Sequence, residues 1–438
     1  MGKIYVNELK KYYEKEIEFQ GTIDNIRDFR WGQFVILKDS TGKVQMTIEK
    51  NAQNEKINNV VKSLTNDSTV KVIGVLHKAP KVKMGGMEIV PKHIEVTSKS
   101  SDTKPFDYNN LENVKLDTRL DYRFLDLRKE RNSLIIKVQN LLNKYLREYL
   151  YKNGFIEIHT PKIIGTASES GSEVFELKYF DKKAYLAQSP QFYKQMAISS
   201  GLDRVFEVAP CFRAENSNTS KHATEFTSFD VEFAYIENYR DVMNLESEMI
   251  RYAFTHVKSE IGNEIKRMFN IDLNIPDIPF PTMKLEDVYK ELEERYGYNV
   301  EQSEKVDLTT EAERLCRRLA KDKFNHEFLF VTDFPADKRA FYHMRDKNGN
   351  LQGYDLIWKG IEITTGAQRE NRYLEIKKNA ESKKLYKDVE FYLEFFKYGC
   401  PPHGGFAIGL ERLTMLLLDI PTIKEAMFIF RGPTRIRP

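Results

Sequence analysis

At 438 residues the chain exceeds one compact domain and predicts roughly two to three. Its 41% hydrophobic and 30% charged residues exclude a disordered chain; no run reaches the ~18 apolar residues of a membrane helix, and the charged first residues carry no secretory signal. Three widely spaced cysteines exclude a disulfide framework or a cysteine zinc site and point to a reducing cytoplasm, while the net charge of +3 divides into +5 on residues 1–104 and −2 on the rest. A basic module on a near-neutral body suits a polyanion partner, although charge alone fits a solvated surface equally well.

In chain order, residues 16–26, 33–38, 44–48, 69–76 and 87–96 alternate or are β-rich, and a helix-like stretch over 54–64 separates the third from the fourth. Five strands with one helix in the second half predict a small closed barrel of OB type. The polar segment 97–105 reads as a linker. Leu134, Val138, Leu141, Leu142, Tyr145 and Leu146 then recur at helical spacing, and Gly154 ends that helix. An alternating strand over 155–158 follows, closed by Thr160-Pro161. The remainder mixes strands and helices without a βαβ rhythm and lacks the glycine-rich loops of Walker or Rossmann type.

Three distant segments concentrate polar residues within apolar patterns. In 205–232, two strands flank a polar loop; period-2 spacing puts Arg213 and Glu215 on one face, His222 lies in the loop and Phe226 opens the second strand. An arginine there can grip a phosphate bidentately beside an aromatic that stacks on a base. In 355–369, Asp355 and Glu362 form a candidate Mg²⁺ pair, and Arg369 follows a turn of small residues. In 401–418, Gly404, Gly405 and Gly409 allow close approach of backbone and ligand, and Arg412 enters an apolar helix and so needs an anionic partner, structural or substrate. Taken singly, each segment also reads as an ordinary surface hairpin, strand or helix.

Taken in order, they resemble the three signature motifs of the class II aminoacyl-tRNA synthetases: the helix with GFIEIHTPKI (154–163), FRAE with HATEFTSFD (212–230), and GFAIGLERL (405–413). With the preceding barrel they resemble subclass IIb, the aspartyl, asparaginyl and lysyl enzymes. The segments LDTRLDYRFLDLR (116–128), YLAQSPQFYKQ (185–195), GIEITTGAQRE (360–370) and PPHGGF (401–406) look most like its aspartyl branch of archaeal and eukaryotic-like type.

That resemblance implies an α+β protein: an OB-fold anticodon-binding domain over 1–104, a hinge over 105–130, and a catalytic domain over 131–438. The last is expected to hold an antiparallel sheet flanked by helices and a helical insertion around 240–335. It implies ATP-dependent attachment of L-aspartate to tRNA-Asp through aspartyl-adenylate, in a cytoplasmic homodimer formed through the first motif, with Pro161 at the interface. Arg213, Glu362 and Arg412 are the expected catalytic groups. Glu215, His222 and Phe226 would join them on ATP, and Mg²⁺ would lie on Asp355 and Glu362. Lys194, Arg369 and His403 would recognise the aspartate side chain; Glu169, Gln191 and Asp230 its ammonium. Arg27, Phe34, Gln45 and Lys83 would read the anticodon. Asp24, where discriminating archaeal-type enzymes carry tryptophan, leans toward tRNA-Asn as a second acceptor, and Lys83 toward tRNA-Asp alone. Ser170, Ala367 and Ala407 replace family glycines. The alternatives are an asparaginyl enzyme, a non-catalytic RNA-binding paralogue, and a synthetase-derived asparagine synthetase, against which the barrel argues.

Overall fold

The computed structural model describes residues 3–101, 103–166, 174–217, 219–335 and 339–438. It divides into two compact units, Met1–Asp107 and Tyr108–Pro438.

The first unit is a closed barrel of β1 (Glu16–Asp28), β2 (Gly32–Lys38), β3 (Lys43–Glu49), β4 (Thr69–Lys78) and β5 (Met87–Ser98), ordered β1-β2-β3-β5-β4. Helix α1 (Glu55–Lys62) lies between β3 and β4 in the chain. Closure depends on β1, which pairs with β4 over Glu16 to Thr22 and with β2 from Thr22 to Asp28. A register shift between Ile23 and Asn25 marks the irregularity that lets one strand serve both neighbours. Alternation sends Val35, Leu37, Val44, Met46 and Ile48 into the core and leaves Phe34 and Gln45 facing outward.

The second unit departs at once from the expected hinge over 105–130. Two short helices, α2 (Leu116–Asp121) and α3 (Arg123–Asp126), fold onto the C-terminal part of the same unit. Arg123 is the reason: it is buried, pairs with Asp126, and donates to the carbonyl oxygens of Glu425 and Met427 at 2.8 and 2.9 Å. A guanidinium so enclosed needs each of these partners.

Helix α4 (Glu130–Lys152) follows, then β6 (Ile156–Glu157), shorter than the alternation predicts. A three-stranded sheet holds β7 (Ile163–Ile164), β8 (Glu176–Tyr179) and β9 (Lys182–Leu186) in the order β7-β9-β8. Next come α5 (Gln191–Ser199), β10 (Arg204–Phe212), β11 (Glu225–Ala234) and the 31-residue α6 (Tyr239–Phe269). Asn238 and Asp241 form a capping box at the start of α6, and Asn270 closes it in the left-handed conformation.

The region around 240–335 is not wholly helical. After α6 it contributes β12 (Thr282–Lys284), α7 (Leu285–Tyr296), α8 (Thr310–Phe324) and β13 (Phe328–Thr332), and both strands join the main sheet. Strand β13 is buried throughout, which a helical reading of FLFVT misses. The chain continues through β14 (Gly353–Trp358), β15 (Ile361–Gln368), α9 (Tyr373–Ser382), α10 (Glu390–Glu394), β16 (His403–Gly409) and α11 (Leu410–Leu417).

The main sheet runs β12-β13-β14-β15-β16-β11-β10-β6. It is antiparallel except at its edges, where β12–β13 and β6–β10 are parallel. One face carries the main core: Phe229, Val231 and Phe233 of β11 and Phe406 and Ile408 of β16 pack with Leu142, Ile250, Phe254 and Leu413 from the helices. By alternation, Ser228, Asp230 and Glu232 of β11 project from the opposite face. The same sheet thus has an oily side and a polar side, and the polar side holds the site.

One acid breaks this rule. Glu246 of α6 is fully buried, and the Tyr354 hydroxyl donates to it at 2.7 Å. Burial raises its carboxyl from 4.5 to about 7. Below pH 4.5 folded and unfolded chains both hold the proton; between 4.5 and 7 only the folded one does, so stability is lost as pH rises through that window. Glu246→Gln keeps an acceptor for Tyr354 and is expected to be about 3 kcal/mol more stable than the parent above pH 7. Urea unfolding at pH 5 and pH 8 checks this: the gain should be much smaller at pH 5.

Candidate active site

Two cavities open side by side in the second unit. The smaller, about 160 Å³, is lined by Arg213, Glu215, His222, Phe226, Glu362 and Arg412, together with Lys221, Thr364 and Gly409. All six residues expected around ATP therefore converge, although they come from three distant stretches. Strand β10 ends at Phe212, so Arg213 and Glu215 lie in the loop beyond it rather than on a strand face.

The charge state of this cavity is distinctive. Among the described residues, neither Arg213 nor Arg412 has a carboxylate in ion-pair range. Arg213 lies over the Phe226 ring at 5.3 Å. Arg412 donates to the backbone carbonyl oxygens of Glu362 at 2.8 Å and Lys221 at 3.4 Å. Burial lowers the Arg412 pKa, and the positive charge of Arg213 adds to that effect against the opposing pull of Glu362. Burial, then Arg412, also holds the His222 imidazole below its ordinary value. Two cations without counter-ions beside an aromatic ring make a receptor for a polyanion bearing a base.

The larger cavity, about 470 Å³, is lined by Gln188, Gln191, Arg213, Asp230, Arg339, His343 and Arg369, among others. It shares Arg213, Thr365 and Ala407 with the first. Ala407 thus lies at the junction of the two cavities.

Behind the larger cavity lies a buried ionic cluster. Glu232, invisible as a site residue in the sequence, accepts from Arg369 Nε at 3.0 Å and pairs with Lys194 at 3.4 Å. Lys194 also pairs with Asp230 at 3.0 Å. Burial pushes the Glu232 carboxyl up, but Arg369 and Lys194 more than offset this and hold it below the usual glutamate value. Gly405 is required here, because a Cβ would collide with the Val231 carbonyl oxygen and the Glu232 carboxylate. The glycines of 404–405 thus serve sheet packing, and only Gly409 lines a cavity. The small residues before Arg369 belong to β15 and do not form a turn.

Of the residues expected around aspartate, Gln191, Asp230 and Arg369 line the larger cavity. Among the described residues the Oδ2 atom of Asp230 is buried without a hydrogen-bond partner, an acceptor suited to an ammonium group. Lys194 and His403 do not line it; both are fully buried one layer back. His403 Nδ1 lies 2.8 Å from the Pro401 carbonyl oxygen and its Nε2 2.8 Å from Gln195 Nε2. The carbonyl can only accept, so Nδ1 carries the proton and Nε2 accepts from the Gln195 amide; burial lowers its pKa, consistent with a neutral ring. Gln195 Oε1 in turn accepts from Gln191 Nε2 at 3.0 Å and from the Tyr392 hydroxyl at 2.8 Å. His403 therefore positions the wall instead of touching the cavity. Glu169 and Ser170 lie outside the described residues.

The proposed metal pair is modified by a residue that sequence reading missed. Asp355 receives Arg339 on both oxygens, at 3.1 and 2.5 Å, and lines neither cavity, whereas Glu362 lines the smaller one. Burial and the neighbouring Glu362 raise the Asp355 carboxyl to about 7 against the pull of Arg339. Of the expected pair, only Glu362 reaches a cavity, where a hard divalent cation completed by substrate phosphates could meet it; Asp355 is already paired on both oxygens with Arg339. Arg339 could have been suspected only from its place in the fold, since it stands alone in the sequence.

On the barrel, Phe34 lies opposite Arg27 across β1–β2, and Ile36 opposite Gln45 across β2–β3. Arg27, Phe34 and Gln45 thus share the outward face. Lys83 is exposed on the turn between β4 and β5. Asp24 is tied to Lys38 at 3.0 Å and Lys43 at 2.7 Å.

Comparison with known proteins agrees with this geometry. Residues 115–430 match the family described as tRNA synthetases class II (D, K and N), and residues 17–97 match the OB-fold nucleic acid binding domain. The chain belongs to the class II tRNA synthetases of the D, K and N group. It is 38% identical to the aspartate–tRNA(Asp) ligase of Pyrococcus horikoshii over 99% of both chains. It is 40% identical to the aspartate–tRNA(Asp/Asn) ligase of Aeropyrum pernix over 94% of this chain and 93% of that one. Its fold matches the asparaginyl-tRNA synthetase of Pyrococcus horikoshii complexed with asparaginyl-adenylate at a TM-score of 0.91, with 32% identity and full coverage of both.

The cluster yields a direct test. Glu232→Gln leaves Arg369 buried without a carboxylate while Lys194 keeps Asp230. The expected loss is about 3–5 kcal/mol of stability, measured by urea or thermal unfolding against the parent.

Proposed function

We propose that this enzyme attaches L-aspartate to tRNA-Asp at the expense of ATP through an aspartyl-adenylate, and that tRNA-Asn is a second acceptor. The observation that carries the reading is the meeting of the two cavities at Arg213. A nucleotide in one and an amino acid in the other would bring the α-phosphate and the attacking α-carboxylate together at that guanidinium.

Each residue then has a task. Phe226 stacks on adenine and Glu215 accepts from its amino group. Arg412 and His222 hold the outer phosphates. Arg369, with Lys194 behind it, answers the side-chain carboxylate, and the free oxygen of Asp230 answers the ammonium together with Gln191. The α-carboxylate oxygen attacks the α-phosphorus and pyrophosphate leaves; the terminal ribose hydroxyl of tRNA then attacks the acyl carbonyl and AMP leaves. No protein nucleophile is needed, and catalysis rests on alignment and charge stabilisation. Mg²⁺ on Glu362, the carboxylate of the expected pair that reaches the cavity, would neutralise phosphate charge. The names of the relatives support aspartate as substrate, and the Aeropyrum relative supports the second acceptor. The ion-paired Asp24 offers no aromatic surface at its position, which favours the same reading.

A cytoplasmic homodimer completes the proposal. Leu127, Ile136, Leu141 and Phe428 line an apolar groove along α4, and Phe428 is 62% exposed. A second copy seated there would cover it, and light scattering measures the mass directly.

Arg213→Ala should reduce aspartate-dependent ATP–pyrophosphate exchange by about 10²–10³-fold with little change in thermal midpoint, because this exposed side chain holds no protein carboxylate. Aspartylation of separately transcribed tRNA-Asp and tRNA-Asn tests the acceptor range. Both are expected to be charged; charging of tRNA-Asp alone removes the second acceptor, and charging of neither, with exchange absent, refutes the ligase.

A further inference from the structure

We infer that the turn between β1 and β2 adds a second base-stacking position, on Trp31, to the RNA-binding face of the barrel. The inference rests on the reading of that face as the seat of a single-stranded tRNA segment. Trp31 is 59% exposed and Phe29 46% exposed. Both meet Phe34 edge-on, with ring centroids 5.2 and 5.7 Å away and planes at 80° and 72°. Three contiguous rings, two on the exposed turn and Phe34 beside them on β2, form a patch of the kind that marks an interaction surface.

The turn is fixed in place. The Phe29 N–H donates to the Gly32 carbonyl oxygen at 2.9 Å, and the Lys50 N–H to the Trp31 carbonyl oxygen at 2.9 Å. Lys50 Nζ reaches the Phe29 carbonyl oxygen at 2.6 Å and also pairs with Asp28. The backbone around Trp31 is thereby clamped to the end of β3 while the indole projects outward. A pre-ordered aromatic face loses little conformational freedom when a base stacks on it. Arg27 and Arg30, both exposed, stand beside it in the chain and supply charge for phosphates.

Ring geometry defines the occupant. A base on Trp31 stands nearly at right angles to a base on Phe34 and cannot continue its stack. Neighbouring nucleotides must be splayed, which a single-stranded loop permits and an A-form duplex does not. Stacking accepts every base, so Trp31 contributes affinity without choosing sequence.

The chain has two tryptophans, and Trp358 is 2% exposed, so Trp31 is the accessible emitter. The full chain is titrated with a tRNA-Asp anticodon stem-loop, following tryptophan emission and filter binding in parallel. The parent should show a saturable change in emission that Trp31→Phe loses. Trp31→Ala should weaken binding about ten-fold, and Trp31→Phe should recover most of that. If the stem-loop binds with unchanged emission and Trp31→Ala binds like the parent, the inference falls and the anticodon reading of the barrel stands. Equal emission change with a blunt RNA duplex also overturns it. If the parent binds no stem-loop, the inference and the reading of the barrel fall together.

Discussion

The catalytic unit is organised around one buried carboxylate. Glu232 lies within the sheet, between a lysine from α5 and an arginine at the end of β15, with the neighbouring strand reduced to glycine so that the three fit. Charges in such a place are tolerable only when balanced, because burial penalises each one alone. This balance ties α5, β11, β15 and β16 to one another and determines where Arg369 presents itself to the larger cavity. The wall beyond it, Gln191, Gln195, Tyr392 and His403, is a chain of neutral hydrogen bonds that holds the same elements without adding charge.

The smaller cavity follows the opposite principle. Among the described residues Arg213 and Arg412 have no carboxylate in ion-pair range, although Glu362 and Glu215 act on Arg412 from a distance. Some cations are paired within the fold and others are not. Arg339 belongs to the first kind and Arg213 to the second, although both line the larger cavity. The difference between them lies in ion pairs: Arg339 meets Asp355 and Asp307. The same contrast separates Lys194, saturated by Asp230 and Glu232, from Asp230 itself, which keeps one oxygen free.

The barrel divides its labour by alternation. Inward residues of β2 and β3 close the core, and outward ones with the clamped turn at Phe29–Trp31 make a surface of rings and cations. Those rings lie outside the cluster that forms the barrel's core.

Much of this was legible in the chain itself. Alternation or β-rich composition marked the five barrel strands, and helical spacing marked α4, because an element with one face toward a core records that face in its pattern. The convergent polar residues Arg213, Glu215, His222, Phe226, Glu362 and Arg412 were legible through motif order, since their chemistry shows in local sequence. Other features depended on tertiary structure. The strands β12 and β13 gain their partners only when the sheet assembles, and the helices of 116–126 form around a buried Arg123 whose acceptors lie some three hundred residues later. Glu232, Arg339 and Trp31 carry no motif; their roles come from partners distant in sequence or from exposure on a turn. Local patterning therefore determined which elements form and which residue types could act, while long-range packing decided which charges are neutralised within the protein and which remain for a substrate.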